Sequence, residues 1–251
     1  MLAKRIVACL DVRDGRTVKG TRFQSLRDAG SPEELARAYC AQGVDEIVVL
    51  DVSATLEGRS ATAAVVRAIA RNADVPVTVG GGVASAEDAG ALLEAGADKV
   101  AINSAAIADP SLIERAAAVY GNQCVVVAID ALREGSGWRV RSRSATEATP
   151  LDAVEWARRA ASLGAGEILL TSIDADGTRA GFDVALTRAV SDAVDVPVVA
   201  SGGARDADSF AEVITGGRAD AALGASVFHF GVLSVGDVKA RCRERGILVR
   251  S

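Results

Sequence analysis

Aromatic residues are scarce: Phe, Trp and Tyr make up 4% of the 251 residues, although 49% are hydrophobic. A core built under that limit is aliphatic, which is what a parallel sheet buried on both faces demands. Histidine is scarcer still. A single His229 excludes a multi-histidine metal site, and its neighbours Phe228 and Phe230 favour packing over Ser/His/Asp chemistry. The four cysteines (Cys9, Cys40, Cys124, Cys242) show neither CxxC nor zinc-ligand spacing and read as reduced core thiols. No apolar run reaches a membrane span. The opening residues lack a charged-then-apolar leader pattern, so a cytoplasmic location is expected. Net charge is −5, which argues against general nucleic-acid binding. Linkers and low-complexity tracts are also missing, so residues 1–251 read as one domain.

What is present is regular alternation. Short apolar runs rich in β-branched residues predict strands at 5–11, 46–52, 76–80, 98–103, 124–130, 167–172, 196–201 and 220–225. Amphipathic helical stretches separate them. Ser31-Pro32-Glu33-Glu34 predicts a capped start with a capping box, and Ser85-Ala86-Glu87-Asp88 and Asp109-Pro110 are similar. Gly43, Gly96 and Gly164 suit left-handed helix stops. Eight strand–helix units without a domain break predict an α/β protein, a (β/α)8 TIM barrel, over a doubly wound open sheet. The irregular segment 132–150 predicts a small hairpin after the fifth strand.

The chain also repeats itself. Leu10-Asp11 matches Ile129-Asp130, VTVGGG (77–82) matches VVASGG (198–203), and ADKVAINSA (97–105) matches ADAALGASV (219–227). LDVSATLEGR faces TSIDADGTRAG. The offset stays at about 120 residues, which predicts two fused half-barrels, about 1–122 and 123–251.

Active sites of this fold lie at the C-terminal ends of the strands, so the repeat predicts Asp11 and Asp130 across one mouth. Two such carboxylates suit general acid and general base duty on one substrate. Loop capping is the plainer use of an Asp. Gly80-Gly81-Gly82 with Asn103-Ser104 would form one anion cradle, and Gly202-Gly203 with Ala225-Ser226 another. Paired glycines also make ordinary tight turns. In register with the repeat, they predict a substrate carrying a phosphate at each end. Asp176, Gly177 and Thr178 add donors and acceptors near the second. Lys19, in the polar, glycine-punctuated loop after strand one, would neutralise charge or contact the reacting centre.

At the other end, Arg5 shares a strand face with Asp11, about 20 Å away. Lys99 shares a face with Asn103, and Glu167 with Thr171. Glu46 opens its strand. Pointing inward, these four would ring the barrel floor beneath an apolar layer of Val7, Cys9, Val48, Ala101 and Leu169. Buried charges need partners. A closed ion-pair plug and a constriction passing a small neutral molecule both fit.

Taken together, RIVACLDVRDGRTVKGT, VTVGGG, DKVAINSAA, VVVAID, GAGEILLTSIDADGT, VVASGGA and ALGASVFHF resemble the cyclase subunit (HisF family) of imidazole glycerol phosphate synthase, from Met1 to about Arg250. The resemblance implies a (β/α)8 enzyme of histidine biosynthesis, with no cofactor or metal. It implies a glutaminase partner (HisH-like) in a heterodimer, which supplies ammonia through the barrel, and no nucleic-acid or membrane partner. The substrate would be N′-phosphoribulosyl-formimino-aminoimidazole-carboxamide ribotide, a bisphosphate. Its products would be imidazole glycerol phosphate and aminoimidazole carboxamide ribotide. The family's catalytic residues fall on Asp11, Asp130 and Lys19. Its ammonia gate falls on Arg5, Glu46, Lys99 and Glu167, and positions near its glutaminase interface on Asp98 and Gln123. The chain departs from the family at Leu132, Ser144-Ala145-Thr146, Pro150, Ala175 and Arg205, mostly around the mouth, and carries an extra residue near Gly216-Gly217-Arg218. The sister aminoaldose–ketose isomerase shares the half-barrel repeat and both cradles. A divergent or redesigned barrel that binds bisphosphates with little activity is a further alternative.

Overall fold

Apolar runs with β-branched residues become strands here because a strand buried on both faces has no polar side to spare. The computed structural model describes residues 2–21, 24–59 and 61–250, without the side chains of 19–21 and 24–27. The side chain of Lys19, expected at the site, therefore lies outside the described residues. Among those described, the strands are β1 (Arg5–Arg13), β2 (Arg16–Thr21), β3 (Gln24–Gly30), β4 (Glu46–Asp51), β5 (Val77–Gly80), β6 (Lys99–Ile102), β7 (Val125–Glu134), β8 (Gly137–Ser142), β9 (Glu147–Asp152), β10 (Glu167–Ser172), β11 (Val198–Ser201) and β12 (Ala221–Gly224).

The order β10-β11-β12-β1-β4-β5-β6-β7, all parallel, closes because β10 also pairs with β7. With helices between the strands, this is the expected (β/α)8 TIM barrel. Closure sorts side chains by parity. Ile6, Ala8 and Leu10 face outward into the core under the helices, whereas Val7 and Cys9 face inward with Val48, Ala101 and Leu169. The helices start where capping chemistry sits. Ser85 and Asp88 form a reciprocal capping box. At Ser31 the hydroxyl accepts from Glu34 N at 3.5 Å, but no reciprocal Glu34 bond is made, so the expected capping box is only half formed. Gly43, Gly96 and Gly164 make the left-handed stops expected of them.

The loop after β1 is not the polar loop its glycines suggested. β1 runs past Asp11 to Arg13, turns at Asp14-Gly15 and returns antiparallel as β2, with Val12 opposite Thr17; β3 then pairs with β2. Clustered charge hid the strand alternation. The second half repeats the device: β7 runs past Asp130 into β8, with Asp130 opposite Arg141, and β9 extends the ribbon. This is the hairpin expected within 132–150. At its tip Arg143, Ser144 and Ala145 all take positive φ (51°, 55° and 64°), a conformation costly for residues with a Cβ. The tip is tied down. Arg143 N donates to Ser104 Oγ at 2.8 Å, and Ser144 Oγ to Val52 O at 3.4 Å.

At the barrel base, carboxylates receive N–H groups from the starts of strands. Asp45 accepts from Ile6 N at 2.7 Å, Asp98 from Val77 N at 2.8 Å, and Asp220 from Val198 N at 3.1 Å. Asp45 also holds the C-terminal helix Val235–Glu244 through Lys239 Nζ at 2.7 Å, with both side chains buried. Removing one partner of such a pair strands the other charge. Lys239→Met is therefore expected to lower unfolding stability by about 3–5 kcal/mol, measured by the urea midpoint at pH 7. A change under about 0.5 kcal/mol would mean the pair does not anchor the helix.

Candidate active site

One strand carries the site from bottom to top. Along β1 the inward residues are Arg5, Val7, Cys9 and Asp11, so a single parity places a cation at the floor, apolar groups in the middle and a carboxylate at the mouth.

At the floor, Arg5 Nη1 lies 2.6 Å from Glu46 Oε2, and Arg5 Nη2 donates to Glu167. Lys99 Nζ lies 2.9 Å from Glu46 Oε1 and 2.7 Å from Glu167 Oε2. Thr78 Oγ1 donates to Glu46 Oε1 at 2.6 Å. The four charged residues brought together by sequence parity thus form a continuous ring of ion pairs. Burial opposes the Glu46 charge, but Lys99 and Arg5 outweigh it and hold the carboxyl below the usual carboxylate range.

Above the apolar layer the mouth divides into two adjoining hollows that share Leu50 and Thr171. The larger, about 500 Å³, brings Asp130 together with Gly81, Gly82, Asn103 and Ser104. The smaller, about 40 Å³, brings Asp11 together with Asp176, Gly177, Gly202, Gly203, Ala225 and Ser226. Every cradle residue expected from the sequence lines the hollow it was expected in; Thr178 lines neither and instead bonds Ala175 O at 2.7 Å.

The two hollows repeat each other in backbone detail. Gly82 has φ +66°, and a Cβ there would lie 1.7 Å from Arg59 O; Gly203 has φ +97°, and a Cβ would lie 2.1 Å from Gly181 O. Only glycine fits either place. Asn103 and Ala225, which precede the short helices Ser104–Ala108 and Ser226–His229, have nearly identical angles (−125°, −90° and −126°, −84°).

The carboxylates sit in different surroundings. Asp130 accepts from Asn103 Nδ2 at 2.8 Å. Burial pushes its carboxyl up to about 7; the Asn103 bond opposes the shift, and the charges of Asp176 and Asp11 add to it. A carboxyl poised there can take or give a proton near neutral pH. Asp11 is buried, and Cys9 Sγ lies 3.5 Å from its Oδ1.

Two arginines at the site were not singled out in the sequence. Arg59 lines the larger hollow and is held by Asp51 (2.5 Å), Ser53 (2.8 Å) and Glu57 (2.7 Å). Arg179 lines the smaller. The signal was available, because each lies in one of the two stretches, LDVSATLEGR and TSIDADGTRAG, that face each other in the repeat. Arg205 does not line the second cradle; it turns away to Asp206 (2.8 Å) and Ala180 O (3.3 Å). His229 packs as expected, its Nδ1 2.5 Å from Tyr39 Oη and its ring stacked on that of Tyr39. Among the described residues, no group of three or more His, Cys, Asp or Glu is arranged to hold a metal ion, and no helix is long and apolar enough to cross a membrane.

A family model described as "Histidine biosynthesis protein" matches residues 5–234. The chain belongs to this family. Its members are barrel enzymes of histidine biosynthesis, and they include both the ammonia-dependent cyclase and the sister isomerase. The match spans both ribbons and both hollows.

The raised Asp130 carboxyl has a stability consequence. Between the unfolded carboxylate value and about 7, the folded chain binds the extra proton, so this group's contribution falls as pH rises through that window. Asp130→Asn removes the dependence. The variant is expected to match wild type near pH 4 and to gain up to about 4 kcal/mol by pH 8, read from urea unfolding across pH. A constant difference would show that Asp130 carries no raised proton affinity.

Proposed function

We propose that the chain is the cyclase of the family. It combines ammonia with N′-phosphoribulosyl-formimino-aminoimidazole-carboxamide ribotide to give imidazole glycerol phosphate and aminoimidazole carboxamide ribotide. The observation that carries this reading is the ring of Arg5, Glu46, Lys99 and Glu167 under the two-carboxylate mouth. An isomerase working alone has no use for four charges across its floor. A cyclase fed from below needs a polar constriction that admits a small neutral amine and holds back bulk water.

In this reading the substrate phosphates occupy the two glycine cradles, and the reacting carbons lie between Asp11 and Asp130. Ammonia comes from a glutaminase subunit docked at the base, where Asp98 and Gln123 lie. It passes the ring when an ion pair opens, then crosses the apolar layer. Its lone pair attacks the ketose carbonyl. Asp130, poised near neutrality, relays the protons that let water leave. Asp11 manages protons during cleavage and ring closure, in which the ribotide is expelled and the imidazole ring forms. Lys19, on β2, is the third catalytic residue of this reading. The proposed location is the cytoplasm, where the ribotide product returns to purine synthesis.

The test is product formation from the bisphosphate with an ammonium salt alone, then with glutaminase and glutamine. Imidazole glycerol phosphate is expected in both. Asp11→Asn and Asp130→Asn should each lower kcat by at least about a hundredfold while leaving bisphosphate binding largely intact. Lys99→Ala should weaken the glutamine-driven reaction much more than the ammonium-driven one. Isomerisation of the aminoaldose without ammonia uptake would assign the chain to the sister reaction instead.

A further inference from the structure

The two hollows match in glycines and helix starts but differ in their cations. Arg59 is locked by Asp51, Ser53 and Glu57. Arg179 is exposed, lines the smaller hollow, and among the described residues makes no ion pair or side-chain hydrogen bond. Its backbone has φ +56°. A long side chain rarely sits there, and such strain persists only where neighbours over-determine it. They do so here. Thr178 Oγ1 bonds Ala175 O at 2.7 Å and receives Ala180 N at 3.2 Å. Gly181 N bonds Gly203 O at 2.8 Å, and Arg205 Nη1 reaches Ala180 O at 3.3 Å. The chain is pinned on both sides of Arg179, and the far anchor is the glycine cradle itself. This gives Arg205 a part the sequence did not suggest: it braces the kink from outside.

From this we infer that Arg179 is the cation of the second cradle. Its guanidinium closes on a phosphomonoester dianion seated between Gly202-Gly203 and Ser226, and the left-handed backbone is retained because it aims the side chain there. A planar fork of donors matches phosphate oxygens two at a time, and an uncommitted guanidinium gives up no protein partner on binding. The inference rests on the second hollow taking a phosphate, as the proposed function requires.

The test uses the full chain and three variants, Arg179→Gly, Arg179→Lys and Arg205→Ala, titrated with inorganic phosphate. The backbone amide signals of Gly203 and Gly82 report the two cradles separately. In Arg179→Gly the apparent Kd at Gly203 should rise about ten- to a hundredfold, with the Gly82 response unchanged. KM for the bisphosphate should rise in parallel, while kcat stays unchanged within about twofold, as for binding shared by ground and transition states. The same variant should melt about 2 °C higher, because glycine relieves the strain. Arg179→Lys should fall between. Arg205→Ala should weaken the Gly203 response less than Arg179→Gly does. Unchanged phosphate binding at Gly203 in Arg179→Gly, or a lower melting temperature, overturns the assignment while leaving the proposed function standing. A wild-type chain that shows no phosphate response at either glycine overturns both.

Discussion

Closure of the parallel sheet is the constraint everything else obeys. Once β10 pairs with β7, every second residue of each barrel strand is committed to a narrow interior column. Charge placed in such a column has to find partners. The chain fills its middle with small aliphatic groups and a thiol, and confines charge to its two ends. At the bottom the charges neutralise one another in a ring. At the top, Asp11, Asp130 and Asp176 face a common mouth, and burial raises the Asp130 carboxyl to about 7. The same low polarity that forces pairing at the floor creates the proton affinity useful at the mouth.

Repetition of one backbone arrangement supplies the rest. β1 and β7 each carry a carboxylate to the rim and continue into an antiparallel ribbon. Gly82 and Gly203 each press against a neighbouring loop carbonyl where a side chain cannot fit. The two hollows are therefore built on one backbone design used twice, which the proposed two-phosphate substrate matches. The two hollows differ in their arginines, Arg59 held by Asp51 and Arg179 exposed, and the tip at Arg143-Ser144-Ala145 places Cβ-bearing residues in left-handed positions.

Much of this was legible in the sequence because parity is local. Alternation along RIVACLD separates Val7 and Cys9 from Ile6 and Ala8 before any partner strand is known, and the same rule gathers Arg5, Glu46, Lys99 and Glu167. Glycine clusters in register with the repeat marked the linings of both hollows. What was hidden depends on contacts between distant segments. Charges and glycines in RDGRTVKG disguised β2 and β3. Arg59 and Arg179 stood in the two facing stretches of the repeat, but only the fold shows that they line the hollows. The proton affinity of Asp130 comes from burial and from Asp176, far along the chain and invisible to any local pattern. The capping box at Ser31 failed for a smaller reason: Glu34 N is capped, but no bond returns to the Ser31 backbone.

The central claim is that both carboxylates work on one molecule held at both ends. A crystal structure of the Asp130→Asn variant with the bisphosphate ribotide tests it most directly. One phosphate should lie against Gly82 and Ser104 and the other against Gly203 and Ser226, with the ribulosyl carbonyl between residues 11 and 130. A ligand using one cradle alone, or one whose reacting carbons lie away from both positions, would contradict the account.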